Sequence, residues 1–276
     1  MRIFLTGSTG ILGSRLSTLI NKNPNMNLTE ILRSDFESTA YVDLLNSNDT
    51  ISQELPEVLI HAAWPVANRD YRNSPDNERF AQTTIELFSK FKDVYPDGFI
   101  LGIGTFLEFG TKNSISDYST CEPEDRYSEA KVHVYDWMRT NLVGNFSWAR
   151  IATMVSGKDP YFKLTTQILK EQSFELLRPQ SSQDFIHAED AANAIYRIST
   201  ERMAGATLVA TGRTLTNSTY ANAINYALGR QQLMVDEEQK KDLLETNPEK
   251  LQMLGWNPQF VNKVNLAKKI VEEFMK

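Results

Sequence analysis

The sequence predicts an α/β fold, a doubly wound parallel sheet followed by a smaller C-terminal lobe. Three observations predict it. The apolar run Ile3-Phe4-Leu5 stops in the glycine-rich stretch Thr6-Gly7-Ser8-Thr9-Gly10-Ile11-Leu12-Gly13, after which a helical pattern begins. Buried-strand runs then alternate with helical periodicity through the first half. After about Val155 the alternation lapses.

The elements follow in order. Arg2 to Leu5 reads as the first strand. Ile11 to Ile20 reads as the first helix, with Leu12, Leu16, Leu19 and Ile20 on one face. The Asn/Pro-rich segment from Asn21 to Asn27 is a turn. Thr29 to Leu32 is the second strand, Asp43-Leu44-Leu45 precedes a short helical stretch, and Val58-Leu59-Ile60 is a buried strand. Asp76 to Val94 makes a long helix, with Phe80, Ile85, Leu87, Phe88 and Phe91 available for packing. Phe99 to Ile103 is another buried strand, then come a helix carrying Tyr127 and the strand Phe146 to Ile151. Such alternation implies right-handed crossovers. Beyond it lie a helix from Tyr161 to Glu171, a short strand Gly205 to Ala210, and helices Ser218 to Leu228 and Val264 to Met275.

Composition bounds the function classes. The chain has 276 residues, 41% hydrophobic and 23% charged, enough for a sizeable core. Its single cysteine, Cys121, excludes an intrachain disulfide framework and fits a reducing, cytoplasmic setting. The first strand begins at once, so no signal peptide is expected, and no apolar run is long enough to span a bilayer. The net charge of −6 argues against nucleic acid as a partner. With three histidines and one cysteine, no metal cluster of the usual spacing is expected.

The glycine loop has a physical reading. Gly7 permits a tight turn, Gly10 removes a side chain where a pyrophosphate must approach the backbone, and Gly13 allows close packing of the helix. The N-terminus of that helix offers free N–H groups and a positive dipole end to phosphates, which makes Gly7, Thr9, Gly10, Ile11, Leu12 and Gly13 candidate cofactor contacts. Cofactor choice turns on the end of the second strand. An acidic residue there suits the ribose 2′-OH of NAD; this chain has Arg33 followed by Ser34, which suits a 2′-phosphate and favours NADP over NAD.

Tyr127 and Lys131 stand four residues apart, on one face of a helix. A cation near the phenol is expected to lower its pKa toward the range of an acid/base catalyst. Thr105 ends a buried strand at the carboxyl edge, where open α/β sheets place their ligands.

On these residues the chain resembles the extended branch of the short-chain dehydrogenases/reductases, the NAD-dependent epimerase/dehydratase family that handles nucleotide sugars. The likeness runs through the glycine loop, His61-Ala62-Ala63, Gly104-Thr105-Phe106-Leu107-Glu108-Phe109-Gly110, the Tyr127/Lys131 pair, Gln183 to Asp190, and Leu254-Gly255-Trp256-Asn257-Pro258. The resemblance implies a Rossmann dinucleotide-binding domain of residues 1–155 with a return segment 184–200, and a substrate lobe of residues 156–183 and 201–276. It implies that Thr105, Tyr127 and Lys131 are catalytic, that Asp43 and Leu44 meet the adenine, and that Ala62 and Ala63 let the cofactor lie over the sheet edge. Trp64, Phe106, Tyr161 and Phe162 are expected to wall the substrate pocket, with Arg178 and Arg213 toward a diphosphate.

Departures refine the picture. Family dehydratases carry Asp-Glu directly after the threonine; Phe106 and Leu107 stand there and cannot move protons, which argues against 4,6-dehydration. Glu108, one step on, is expected to point away as a helix-entry or solvent residue. The family's asparagine on the helix after Trp64 is replaced by Phe80, and the one after Ile151 by Thr153. The leading reading is reduction of a keto group on a nucleotide-activated deoxysugar, with a 4-epimerase as the alternative and a non-catalytic dinucleotide-binding subunit as a third. A homodimer is expected through the helices Asp76 to Val94 and that of Tyr127, the latter offering Val132, Val134, Tyr135 and Met138.

Overall fold

A computed structural model describes residues 1–31, 57–66, 70–159, 162–171, 174–233 and 243–276. Strand β1 (Arg2–Thr6) leads through the glycine loop into α1 (Ile11–Asn21), which buries Leu12, Gly13, Leu16 and Ile20. Strand β2 (Asn27–Ile31) returns beside β1. Next come β3 (Val58–His61), α2 (Asp76–Val94) and β4 (Phe99–Thr105). A single 3-10 turn (Phe106–Phe109), β5 (Ser114–Ser116), α3 (Arg126–Asn141) and β6 (Phe146–Ile151) complete the first half.

The central sheet has six strands in the order β10-β6-β4-β3-β1-β2, where β10 is Gly205–Val209. The chain moves outward from β1 to β2, then reverses and builds β3, β4 and β6 on the other side of β1. Both β2 and β3 pair with β1 in parallel, so the strand order switches between β1 and β3. A doubly wound sheet binds its ligands at such a crevice, outside the carboxyl ends of the strands.

Register explains the packing. Phe4 lies opposite Leu59, and Leu59 opposite Ile100, which makes an apolar row across three strands on one face. Against that row pack Ala81, Ile85, Leu87, Phe88 and Phe91 of α2 and Ala130, Val134 and Met138 of α3. This corrects the expected dimer surface. Val134 and Met138 are fully buried in the chain's own core, and Tyr135 packs against the same cluster. The outer surface of α2 and α3 is polar instead, a groove of about 880 Å³ edged by Glu78, Arg79, Glu86, Arg126, Glu129 and His133. The α3 periodicity was legible, but which apolar stripe faced the sheet was not.

The chain divides into two compact units. The first comprises Met1–Gly110, Cys121–Arg150 and Ala192–Thr207; the second comprises Thr111–Thr120, Ile151–Ala191 and Leu208–Lys276. The boundaries differ from those expected: residues 111–120 and 184–191 group with the second unit, because β5 pairs with β12 (Glu245–Asn247) and β9 (Phe185–His187) pairs with β7 (Thr153–Val155). Its core joins α4 (Lys163–Lys170), α6 (Asn217–Ala227) and α8 (Lys263–Phe274) through Ile168, Leu169, Tyr220, Ile224, Leu266 and Ile270. Phe185 stacks on Tyr220 at 4.0 Å.

The Gln183 to Asp190 stretch has a structural explanation in this unit. Asp184 is buried and accepts from the Thr211 and Gly212 amides and from the Thr211 and Thr246 hydroxyls. Asp190 accepts from the Gln259 and Phe260 amides. Burial raises both carboxyls, and the hydrogen bonds oppose that rise. Among the described residues, no helix is long and apolar enough to cross a membrane.

Candidate active site

The glycine loop folds as its composition requires. Gly7 has φ +72°, and a Cβ there would stand 2.7 Å from the Ala62 carbonyl carbon and the Ala63 nitrogen. The turn closes with the Gly10 amide donating to the Gly7 carbonyl at 3.0 Å. A Cβ on Gly13 would fall 2.0 Å from the Gly7 oxygen, so the first turn of α1 lies directly on the loop. Gly10 is different. It is the N-cap of α1, without a side-chain cap, at an ordinary φ of −75°. Its missing Cβ would touch only the Gly7 oxygen, at 3.3 Å. Packing does not demand glycine there; the bare side faces a cavity of about 620 Å³.

Gly7, Ser8, Thr9 and Gly10 form one wall of that cavity, Ala62, Ala63, Trp64 and Pro65 a second, and Arg79, Phe80, Thr83 and Thr84 of α2 a third. Its size suits a ligand larger than a metabolite fragment, and the uncapped N-terminus of α1 suits a diphosphate. A nicotinamide dinucleotide therefore fits. Leu12 and Gly13 are buried, which leaves them main-chain contacts at most. Arg33, Ser34, Asp43, Leu44 and Tyr161 lie outside the described residues. Gly10→Ala is expected to melt like the parent and to lose at least tenfold in dinucleotide affinity, because the new methyl occupies ligand space rather than protein space. Thermal unfolding beside a binding titration checks both halves.

His61 closes β3 and is an internal strut. Its Nδ1 meets the Thr6 hydroxyl at 2.9 Å and its Nε2 the Thr84 hydroxyl at 3.2 Å. Burial first, then the charge of Lys131, lower it to about 3, so it is neutral.

Thr105 ends β4 and starts the 3-10 turn. Its hydroxyl accepts from the Leu107 amide at 3.3 Å, while Glu108 Oε1 accepts from the Thr105 amide at 2.8 Å, a reciprocal capping box. Among the described residues, no acceptor takes the Thr105 hydroxyl proton. Glu108 is thus the helix-entry residue expected, but not a solvent residue: it is fully buried and ion-paired with Arg150 at 2.7 Å.

Tyr127 sits in the first turn of α3, whose N-cap Asp125 forms a capping box with Ser128. Lys131 follows one turn later, 4% exposed, with Nζ donating to the Ile103 carbonyl at 2.7 Å. That bond brings the ammonium to the carboxyl end of β4, two residues from Thr105. The Lys131 Nζ lies 5.7 Å from the Tyr127 ring centre and 3.7 Å from that of Trp64. The structure thus brings Lys131 to the strand end bearing Thr105 and sets Lys131 and Tyr127 against Trp64, a wall of the glycine-loop cavity.

The electrostatics correct one expectation. The Tyr127 phenol is not lowered. Burial pushes it well above its ordinary range, and Tyr71, Glu108 and Asp125 push it further. The cation one turn away is itself weakened: burial lowers Lys131 to about 7, opposed by Glu108. A lysine whose own charged form is disfavoured by burial does not offset the desolvation of the phenol. The phenol therefore stands protonated.

Several contributors were not singled out from sequence. Asn77, buried on α2, accepts from the Trp64 indole at 3.0 Å and donates to the Tyr71 carbonyl at 2.6 Å, which fixes two aromatic walls. Tyr71 and Trp64 meet the Tyr127 ring edge-on at 5.1 and 6.0 Å. Arg72 pairs with Asp125 and its carbonyl accepts from the Tyr127 amide at 2.9 Å. The N-cap signature Asp125-x-x-Ser128 was readable; a loop docking on it was not. Of the other substrate candidates, Phe106 is half-buried beside Thr105, Phe162 packs against the core of the second unit, and Arg178 and Arg213 are exposed in that unit. Cys121 accepts from Arg150 at 3.2 Å, a packing contact rather than a catalytic one.

The model of the NAD dependent epimerase/dehydratase family matches residues 3–210, most of the chain. The protein belongs to this family. No curated protein matches it in sequence. Solved structures match over nearly the full length at low identity. RMD from Pseudomonas aeruginosa, complexed with NADPH, is 18% identical, with TM-score 0.77 over 99% of this chain and 98% of that one. UDP-glucose 4-epimerase from Thermotoga maritima, with UDP-glucose, is 16% identical, with TM-score 0.76 over 100% and 98%. A dTDP-4-dehydrorhamnose reductase from Clostridium acetobutylicum is 16% identical, with TM-score 0.75 over 98% of each chain. These likenesses bear on the fold: an epimerase/dehydratase-family sheet with the crevice at its switch point.

Proposed function

We propose that this epimerase/dehydratase-family protein reduces a keto group on a nucleotide-activated sugar. The observation that carries the reading is that Lys131 reaches the Thr105 strand end and that Lys131 and Tyr127 both pack on Trp64, which lines the glycine-loop cavity. A nicotinamide dinucleotide, when bound, supplies the hydride. Thr105 donates its hydroxyl proton in a hydrogen bond to the substrate carbonyl oxygen. Tyr127 delivers a full proton to that oxygen, and Lys131 holds the ribose of the dinucleotide. Dehydration is disfavoured because Phe106 and Leu107 carry no acid or base and Glu108 is locked by Arg150.

Nucleotide-activated keto sugars, offered with NADPH or NADH, separate the readings. A reductase consumes reduced cofactor in proportion to product. A 4-epimerase interconverts its sugars with no net consumption.

For cofactor choice we propose NADP, on Arg33 and on the basic Arg79 at the cavity wall. Arg33→Asp is expected to move the ratio of NADPH to NADH dissociation constants at least tenfold toward NADH. An unchanged ratio places Arg33 away from the 2′ position. We also propose a homodimer formed by the polar outer face of α2 and α3, where Glu78, Glu86 and Glu129 offer partners to Arg126 of a second copy.

A further inference from the structure

Lys131 is a buried cation whose one hydrogen-bond acceptor is neutral, the Ile103 carbonyl at 2.7 Å. Among the described residues no carboxylate pairs with it. Glu108, the acid that favours its charge, is hydrogen-bonded to Trp148 and ion-paired with Arg150 at 2.7 Å. His61 is neutral and Tyr127 protonated. A buried charge needs compensation, and a single carbonyl supplies little of it. The rest comes from aromatic faces.

Three rings approach the ammonium. Their centres lie 3.7 Å from Nζ for Trp64, 5.7 Å for Tyr127 and 5.8 Å for Trp148. A cation is attracted to a ring face within about 6 Å of its centre, most strongly by an indole and more so where water is excluded. Trp64 is in contact, whereas the other two stand at the limit. The Trp64 ring is also held in place. Its Nε1 donates to Asn77 Oδ1 at 3.0 Å, and the buried Asn77 amide donates in turn to the Tyr71 and Ser74 carbonyls at 2.6 and 3.1 Å. Both ends of the Asn77 side chain are thereby engaged, so the plane of the indole is set. Tyr127 and Phe80 bracket the ring at 6.0 and 6.2 Å.

We propose that Trp64 is a positioning residue whose indole face holds the Lys131 ammonium at the end of β4, with Asn77 setting the plane of the ring. This rests on the reading that Lys131 binds the ribose of a nicotinamide dinucleotide. An ammonium has three N–H groups. The Ile103 carbonyl takes one and the Trp64 face engages a second, which leaves one for a ribose hydroxyl. Trp64 also lines the glycine-loop cavity, so the ammonium is held where that cavity meets the strand end. A leucine would fill the same space, but a ring with a negative face also holds a cation.

The test measures NADH and NADPH affinity of the full chain by nicotinamide fluorescence, with Trp64 alone replaced by its mono-, di- and trifluoro forms. Fluorine withdraws charge from the ring face and keeps the shape and the N–H. Affinity is expected to fall with each added fluorine, on the order of tenfold across the series. Trp64→Phe, which keeps a face and loses the Asn77 bond, should lie between the parent and Trp64→Leu, which has no face. Lys131→Met should bind more weakly, and the same fluorine series there should be flat. A flat series with Lys131 present overturns the proposal. So does a slope that survives Lys131→Met, since the ring then acts on the ligand directly. A parent that binds neither dinucleotide overturns the functional reading, and NMR of the Lys131 side chain without ligand then decides the contact. Its Cε protons are expected upfield in the parent, under the ring current of Trp64, and at the ordinary lysine position in Trp64→Leu. Ordinary positions in both proteins overturn the proposal.

Discussion

Tyr127→Phe is expected to bind the dinucleotide as the parent does and to lose at least about 10²–10⁴-fold in turnover. The ring stays, so its edge-on contacts with Trp64 and Tyr71 stay. The phenol proton is gone, and the side chains that follow Thr105 do not replace it: Phe106 and Leu107 are apolar, and Glu108 is held by Trp148 and Arg150. Steady-state rates beside a cofactor titration separate chemistry from binding. Because burial holds the phenol above its ordinary range, the parent should not lose its acid at alkaline pH through Tyr127; the charge lost first on raising pH is that of Lys131.

The second large effect is structural. Met138→Glu is expected to abolish cooperative folding, because Met138 is fully buried among α2, α3 and the sheet. An unpaired carboxylate there costs several kcal/mol, a large share of a typical domain's stability. His133→Glu, on the exposed side of the same helix, should change stability by less than about 0.5 kcal/mol. Thermal melts of the two variants decide it. A Met138→Glu protein that melts like the parent places that helix with its other face to the sheet. Light scattering of His133→Glu, beside the parent, reports on association without disturbing the core.

Much of this architecture was legible because period and punctuation agreed. The long helix Asp76–Val94 and the strand Phe146–Ile151 lie where their residues place them. Gly7 makes the tight turn and Gly13 the close helix packing that their spacing implied. What the sequence left open depends on burial and on distant partners. Tyr127 and Lys131 read as a mutually stabilising pair, yet burial raises one and lowers the other, and periodicity does not measure burial. Glu108 read as a residue pointing away; its partners Trp148 and Arg150 are some forty positions on and meet it only because β6 lies beside β4. Asn77 carries no motif, and its role depends on a loop folding back over α2. On α3, Val134 and Met138 looked available to a partner because the helix is apolar on more than one side, and only their burial in the core against the sheet assigns them inward.

The central claim is that a nicotinamide dinucleotide in the glycine-loop cavity exchanges hydride with a sugar ketone under the control of Tyr127. Its most direct test follows the absorbance of reduced nicotinamide while the protein is offered nucleotide-activated keto sugars, with Tyr127→Phe run in parallel. The account predicts loss of reduced cofactor equal to the alcohol formed in the parent, and none above background in the variant. Equal rates in the two proteins, or a parent that binds neither NADH nor NADPH, would contradict it.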